Sequence, residues 1–301
     1  MARMRLWTAD RPVEDGQMAD SGRSREEQNR VNALDALTEC RGLALCWTRN
    51  AGWLLGHQGM LIGIDLDLEP PGHRLAEPLI HVEEVAPRLS ALFITHGDDD
   101  HFNTFTCRAL AAKSQCRFVL PANCTVKAIT DIGIPKERIH VVASRPQPAG
   151  VRRPAVPDGH FFPFEILGIH VAPQRALHGH RHGAVWASAN LDDCGYLLTI
   201  GGKKLFHPGD TVLLDDHLAL GRLDVLFISP TEHNMHVERA AFLIEHLKPK
   251  HVFPQHFETY RVTPENAFWT VGYPDELALA LSEKMRSRYH KPAEAAVFVI
   301  E

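Results

Sequence analysis

The chain has 301 residues, of which 45% are hydrophobic and 23% are charged, a composition typical of a soluble globular protein of one or two domains. Its net charge of −5 provides no electrostatic footprint for nucleic acid or for an anionic membrane surface. The sequence shows neither a leader peptide nor an apolar segment long enough to span a bilayer, so we expect a cytoplasmic protein with free thiols.

The first part of the chain predicts a polar arm followed by closely spaced strands. Residues 1–38 are mostly polar and charged, and within this arm a helix is expected over Arg25–Leu37. Short apolar runs separated by glycine and asparagine then predict strands joined by tight turns. These strands are expected at Leu43–Thr48, Gly52–Leu55, Met60–Leu66 and Ala91–Thr95, with a short helix within Ile80–Leu89.

Helices and strands alternate in the next part of the chain. Helical segments at Asn103–Ser114 and Ala122–Ile132 are each followed by a predicted strand, at Arg117–Leu120 and Arg138–Val142. This alternation favours an α/β layer architecture. The segment Ser144–Gly159 contains four prolines and two glycines, so we expect a loop there that is suited to act as a lid.

The remaining part repeats the order of strands and helices. Gly201-Gly202 joins two apolar runs and predicts a β-hairpin. Because the order occurs twice, two similar halves that face each other fit the pattern, within one catalytic domain over residues 39–301. Strands are expected at Phe164–Ala172, Gly195–Ile200, Lys204–Phe206, Leu223–Ile228, His251–Phe253 and Ala296–Ile300, and helices at Val237–Leu247 and Asp275–Arg288.

A cluster of ligand-type side chains follows the strand Ala91–Thr95. Two imidazoles and three carboxylates occur within six residues, from His96 to His101. These are the groups that Zn²⁺, Mn²⁺ and Fe²⁺ accept as ligands. The aspartates would also suit a helix N-terminus, but helix capping does not explain two histidines at the end of an apolar strand. The cluster therefore predicts part of a metal site.

Further ligand-type residues follow at later strand ends. Twelve of the 19 histidines lie between His160 and His256, and such an excess favours metal or acid–base chemistry. Since α/β folds gather their active sites at strand ends, we expect several of these residues to meet the first cluster. The candidates are His178 followed by His180 and His182, His207, Asp210 in a Gly-Asp-Thr turn, His233 and His236 before a helix, and His256.

The order of these motifs resembles the metallo-β-lactamase superfamily. His96–His101 matches its H-x-H-x-D-H signature except at one position, and His178, Gly209–Thr211 and His256 follow in the family's order. The resemblance covers residues 43–300 and implies a four-layer αβ/βα sandwich with a dinuclear site at one edge. Within the superfamily, Leu247–Phe257 looks most like the L-ascorbate-6-phosphate lactonase branch.

The resemblance also implies a set of metal ligands and a mechanism. Two divalent ions (zinc, manganese or iron) would hold a hydroxide that attacks the substrate. The resemblance assigns His96, Asp98 and His178 to the first ion, Asp100, His101 and His256 to the second, and Asp210 to both.

Asp98 departs from the family signature, which has histidine at this position. A carboxylate adds charge and a hard oxygen, so it should favour manganese or iron relative to zinc, or loosen the first ion. The flavodiiron branch likewise has an acidic residue here, which raises a redox alternative. Alternatively, Asp98 would contact the metal ligands without binding an ion itself, and only one of the two metal sites would then be occupied.

These observations favour a metal-dependent hydrolase, with catalytic roles expected for Asp100, His233 and His236. The target would be an ester or lactone, an amide or a phosphodiester in a small anionic substrate, and the chain could form homo-oligomers. The alternatives are a non-haem diiron oxygenase or oxidase, an RNA-processing nuclease, which the negative charge disfavours, and a non-catalytic binding protein. An anionic substrate could be held by Arg181, Tyr260 and Arg261, although a surface position is equally compatible with the two arginines. A position in the hydrophobic core is more typical of Trp186 and Trp269.

Overall fold

Two β-sheets face each other in the computed structural model, which describes residues 4–7, 33–70, 72, 74–145, 160–180, 184–185 and 191–301. The first part of the chain supplies strands β1 (Met4–Trp7), β2 (Leu43–Trp47), β3 (Trp53–His57), β4 (Met60–Ile64), β5 (Leu89–Phe93), β6 (Arg117–Pro121) and β7 (Ile139–Val142). Its helices are α1 (33–39), α2 (Val82–Val85) and α3 (Thr104–Lys113), followed by a 3₁₀ turn (Ala122–Cys124), a π-helix (Lys127–Ile132) and a second 3₁₀ turn (Lys136–Arg138).

The second part of the chain supplies the other sheet, one further strand of the first sheet and several helices. Its strands are β8 (Phe164–Ile166), β9 (Ile169–Arg175), β10 (Gly179–His180), β11 (Ala184–Val185), β12 (Cys194–Ile200), β13 (Lys203–His207), β14 (Val225–Ile228), β15 (His251–Pro254) and β16 (Val297–Ile300). Its helices are α4 (Asp215–Leu218), α5 (His236–Leu247), α6 (Ala267–Thr270), α7 (Pro274–Ala280) and α8 (Glu283–Arg286).

The strands form an eight-stranded sheet, a six-stranded sheet and the short pair β10–β11. The order of the first sheet is β1-β16-β2-β3-β4-β5-β6-β7, and that of the second is β15-β14-β13-β12-β9-β8. Glycines Gly201 and Gly202 turn the predicted hairpin between β12 and β13, both with positive φ angles. The central strands are buried on both faces, which explains why they read as continuous apolar runs.

Three apolar cores hold four layers together, and the predicted αβ/βα sandwich is confirmed. The inner core lies between the sheets and contains Trp53, Phe93, Tyr196 and Phe227. On one outer face, α1, α2 and α3 pack on the first sheet. On the other, α5 packs on the second sheet through Ala240, Leu243, Ile244 and Leu247, which share one face of the helix.

Two local predictions differ from the structure. Residues Met4–Trp7 of the predicted loose arm form an edge strand, because their backbone pairs with β16 in antiparallel register. The predicted helix Asp275–Arg288 is divided in two, because Ser282 starts a new helix by accepting a hydrogen bond from the amide of Met285 at 3.3 Å. Most of the predicted helix Arg25–Leu37 and of the loop Ser144–Gly159 lies outside the described residues.

The topology brings the ends of several strands to one edge. Strands β4 and β5 are parallel, as are β13, β14 and β15. Strand β9 runs in the same direction as β13, because both are antiparallel to β12. The segments that follow β4, β5, β9, β13, β14 and β15 therefore meet at this edge, and they contain the candidate ligands.

Candidate metal centre

An inner triad of ligand-type side chains is formed by Asp100, His101 and His256. The Nε2 atoms of His101 and His256 lie 3.6 and 3.4 Å from Oδ2 of Asp100. Both histidines are buried, and one ligand atom from each of the three residues falls within 4.8 Å of the others. This spacing suits three ligands that each lie about 2 Å from a shared divalent ion.

An outer triad is formed by His96, Asp98 and His178. The Nε2 atoms of His96 and His178 lie 3.7 and 3.4 Å from Oδ2 of Asp98. This triad is more open than the inner one, because the side chain of Asp98 is 60% exposed and that of His178 is 27% exposed. Asp98 thus lies where the resemblance puts a ligand of the first ion, within reach of both histidines.

Asp210 lies between the two triads. Its Oδ2 atom is 3.6 Å from Nε2 of His178 and 3.3 Å from Nε2 of His256, while Oδ1 is 3.4 Å from Nε2 of His101. The carboxylate is buried and can face ions on both sides. It has the position that a bridging ligand requires.

His233 contacts the central carboxylate directly. Its Nε2 atom lies 2.6 Å from Oδ2 of Asp210, and its Nδ1 atom lies 2.9 Å from the hydroxyl of Thr231. His233 is buried, and burial lowers its pKa despite the nearby charge of Asp210. The neutral ring would donate from Nε2 to Asp210 and accept from Thr231, which fixes both side chains.

Residues that the sequence interpretation did not select hold the ligands in place. Asp65, directly after β4, accepts from Nδ1 of His101 at 2.8 Å and from the amide and hydroxyl of Thr95 at 2.8 and 2.6 Å. The Thr95 hydroxyl in turn lies 2.9 Å from Nδ1 of His96. Such contacts orient imidazole ligands and set their tautomer. The only sequence signal for Asp65 is an acidic residue at the end of an apolar strand.

Asn50 braces the inner triad from a different segment. Its side-chain amide donates to the carbonyl and to Oδ2 of Asp100, both at 3.1 Å. Its own carbonyl accepts from the amide of His256 at 2.9 Å. His256 has a φ angle of 64°, an unfavourable backbone conformation for a histidine, so this contact helps to hold the residue in position.

Two glycines allow the segments to approach this closely. Gly209 has a φ angle of 63°, and a Cβ atom there would lie 2.7 Å from Cβ of Thr95. A Cβ atom at Gly179 would lie 1.9 Å from the carbonyl oxygen of His233. A side chain at either position would therefore push apart Asp210 and Thr95, or His178 and His233.

The donor set fits divalent cations. The Nε2 atoms of His96, His101 and His256 and Oδ1 of Asp210 are buried and have no hydrogen-bond partner within the part of the chain that the structure describes. An unpaired buried polar atom is costly, and these four face the same space. Although burial lowers the pKa of His256, the carboxylates of Asp210 and Asp100 outweigh it and raise this pKa to about 9. A cation would satisfy the same carboxylates and free nitrogens.

The structure does not bring every candidate to this centre. His236 starts α5 with a φ angle of 51°, and its Nδ1 atom contacts Glu238 at 2.5 Å, so its side chain is paired away from the ligands. His207 is buried in the wall, with Nε2 on the carbonyl of Ala51 at 2.9 Å. The side chains of His180, Arg181 and His182 lie outside the described residues.

Comparison with known proteins identifies the family. A family model described as a beta-lactamase superfamily domain matches residues 66–257. The chain belongs to this superfamily. The superfamily prediction is thereby confirmed, while the lactonase branch stays a prediction.

Two curated relatives are UPF0173 metal-dependent hydrolases. The protein from Carboxydothermus hydrogenoformans is 36% identical over 91 residues, which span 29% of this chain and only 40% of that relative. The protein from Methanosarcina mazei is 24% identical over 251 residues, spanning 82% of this chain and 94% of the relative. No described helix combines the length and apolar character that a membrane crossing requires.

Solved structures share the fold. A metallo hydrolase from Ignicoccus hospitalis superimposes with a TM-score of 0.60 at 16% identity and covers 86% of this chain and 98% of its own. A diiron β-hydroxylase from Streptomyces venezuelae has a TM-score of 0.54 at 13% identity and covers 83% of this chain and 50% of its own. At these identities the likeness concerns the fold alone.

Proposed function

We propose that this protein is a metal-dependent hydrolase that uses two divalent ions to cleave an ester or lactone, an amide or a phosphodiester in a small molecule. The observation that carries the proposal is the pair of triads with the Asp210 carboxylate between them, in contact with histidines of both, and with unpaired buried imidazole nitrogens around it. The curated relatives support a hydrolase, and the donor set of nitrogen and oxygen suits zinc, manganese or iron.

The side chains have separable tasks in this proposal. Bound divalent ions supply Lewis acidity and make water acidic near neutral pH. His96 and His178 would bind on the outer side, and His101 and His256 on the inner side, with Asp210 between them. Nε2 of His233 holds a proton against Oδ2 of Asp210, at 2.6 Å, and thereby keeps the carboxylate turned to both triads.

Metal analysis and hydrolysis assays test the proposal together. We expect about two transition-metal ions per chain and hydrolysis of a lactone, an amide or bis-p-nitrophenyl phosphate by the loaded protein. Activity should disappear with a chelator and return when manganese or zinc is added. A protein that binds neither metal, or that binds both but cleaves none of the three bond types, would contradict it.

A diiron oxygenase is the second candidate, because of Asp98. This carboxylate lies 3.4 Å from Nε2 of His178, so the outer site offers more oxygen ligands than the family signature does. Carboxylate-rich sites accommodate iron. Two iron ions per chain together with an oxygen-dependent optical band would favour this candidate, whereas colourless protein that is active with zinc would exclude it.

A further inference from the structure

A cavity of about 370 Å³ lies beside the inner triad. Asp100 forms part of its wall, so the cavity adjoins the place where the ions would bind. Its volume is within the range that holds small molecules. The cavity therefore has the position and the size to receive the part of a substrate that lies next to the scissile bond.

One side of the cavity is aromatic. The rings of Tyr260 and Trp269 line it with centroids 5.4 Å apart, and Pro70 adds a further apolar surface. The ring of Trp269 is also 6.4 Å from that of His256, so this aromatic side continues up to the inner triad. The Tyr260 hydroxyl is already used, because it donates to Asp67 at 2.6 Å. These rings offer contact area to a flat apolar group.

The charged residues of the wall do not favour an anion. Besides Asp100, the carboxylates of Asp67, Glu69 and Asp99 line the cavity, and Arg74 is the one cation among the described residues of its wall. Arg74 is enclosed by protein, with a side chain that is 3% exposed. Its Nη1 atom donates to Asp67, and its Nη2 atom lies 3.9 Å from Glu294, so its charge is already balanced.

The unpaired donor atoms of Arg74 do not make the cavity a binding site for an anion. Its Nε and Nη2 atoms have no hydrogen-bond partner among the described residues, but both atoms are buried and expose no surface to solvent. Glu69, by contrast, is exposed at the wall, where its Oε2 atom accepts from the Asn103 amide at 2.9 Å. An anionic group would meet this carboxylate without a free cation from the described part of the wall in compensation.

We propose that the cavity takes an uncharged aromatic or similarly flat apolar group of the substrate, with Trp269 as the residue that determines this preference. The inference rests on the proposed hydrolytic function, since it gives the cavity a substrate to receive. It differs from the expectation of an anionic substrate: negative charge on the substrate would be confined to the atoms that meet the metal ions.

Binding of two matched probes tests the proposal without a need for turnover. Methyl p-tolyl sulfone is neutral, and p-toluenesulfonate is an anion of nearly the same shape whose sulfonate is a weak metal ligand. We expect the metal-loaded, full-length protein to bind the sulfone at least about 10-fold more tightly in calorimetric or NMR titrations. Equal or tighter binding of the sulfonate would overturn the proposal.

Substitutions in the cavity wall test whether Trp269 and Glu69 cause the preference for the neutral probe. Trp269→Ala should weaken sulfone binding about 10-fold, whereas Trp269→Phe should retain most of it. Phe242→Ala, which removes an aromatic ring exposed on α5 and away from the cavity lining, is the matched control and should have no effect. Glu69→Gln is an exposed, conservative change that should narrow the gap between the two probes. Unchanged affinities in Trp269→Ala and Glu69→Gln would contradict the assignment.

The cavity and the hydrolytic function fail in different ways. A protein that binds the sulfone through Trp269 but cleaves no substrate would support the cavity and refute the hydrolase. A protein that cleaves small esters but binds no sulfone would support the hydrolase and refute the cavity.

Discussion

The inner and outer triads offer similar ligands but differ in how they are held. The inner triad is buried, with Asp65 fixing His101 and Asn50 fixing both Asp100 and the backbone of His256. In the outer triad, Asp98 is mostly exposed, and Nδ1 of His178 contacts the carbonyl of the adjacent Gly179, at 3.0 Å, as its one partner among the described residues. A braced, buried site binds a metal with little reorganisation, so we expect the inner ion to be the tighter one and the outer ion to exchange.

Asp210→Asn should have the largest effect, because this carboxylate lies between the triads and contacts histidines of both. The asparagine side chain has one neutral oxygen and one NH₂ group in place of the two carboxylate oxygens that face the imidazoles. It also lacks the negative charge, so both ions should be lost. We expect metal affinity to fall by more than about 100-fold, above the range for residues that only contact ligands. Metal analysis after dialysis measures this. Asp224→Asn, which breaks a surface pair with Lys250 at the opposite end of β14, is the control and should keep both ions.

Replacing one histidine in each triad tests the comparison directly. His178→Ala should leave one tightly bound ion, since the inner triad stays complete. His256→Ala should leave at most one ion that a chelator removes easily, because only the open triad remains. The stoichiometry and the rate of metal release to a chelator distinguish the two variants. Equal release rates would show that burial and bracing do not separate the sites.

Asp65→Asn tests the brace without removing a ligand. The amide cannot accept all three hydrogen bonds that the carboxylate accepts from His101 and Thr95. We expect inner-site affinity to fall by about 10- to 100-fold, the usual cost of losing such an orienting contact. Competition with a chromogenic chelator measures it. A change confined to the more weakly bound ion would contradict the assignment of Asp65 to the inner site.

The sequence indicated the candidate ligands better than the residues that hold them in place. His178, Asp210 and His256 were selected because motif order and strand ends carry over from a family pattern, and the structure brings their side chains together. Asn50 was not, since its contacts reach Asp100 and His256 across long stretches of chain, and only the folded topology makes them neighbours. His236 shows the converse: it adjoins the site in sequence, but its backbone conformation at the start of α5 pairs it with Glu238.

In the metal-free protein, the two triads should also differ in the pH range over which they stabilise the fold. This difference should be smaller than the effects of the substitutions above. Burial lowers the pKa of His178, but Asp210 and Asp98 outweigh it and raise this pKa to about 8, against about 9 for His256. A raised pKa stabilises the fold fully below the usual value near 6.5 and loses that contribution as the pH passes the folded value. At about 1.4 kcal/mol per pKa unit, the His178 contribution is about 2 kcal/mol.

Urea unfolding of metal-free protein between pH 6.5 and pH 10 should therefore show a loss of stability that begins above pH 6.5 and is complete near pH 8 for His178 and near pH 9 for His256. Metal-loaded protein should not show this loss, because the ions bind the deprotonated imidazoles. In His178→Ala the loss between pH 6.5 and pH 8 should be smaller by the contribution of His178. A metal-free protein that gains stability over this range would contradict the protonated cluster.

Asp98→His should have the smallest effect, because this side chain is the most exposed of the candidate ligands and is held only by its contacts with His96 and His178 within the part of the chain that the structure describes. The change exchanges a hard oxygen for an imidazole, so the outer site should shift its preference from manganese or iron towards zinc by about 10-fold. Competition between zinc and manganese at the two sites measures the shift. The inner site supplies the internal control, since its preference should stay constant. If instead the inner preference moved with the outer one, the two triads would be behaving as a single coupled site, and the difference in bracing between them would not determine which metal each one binds.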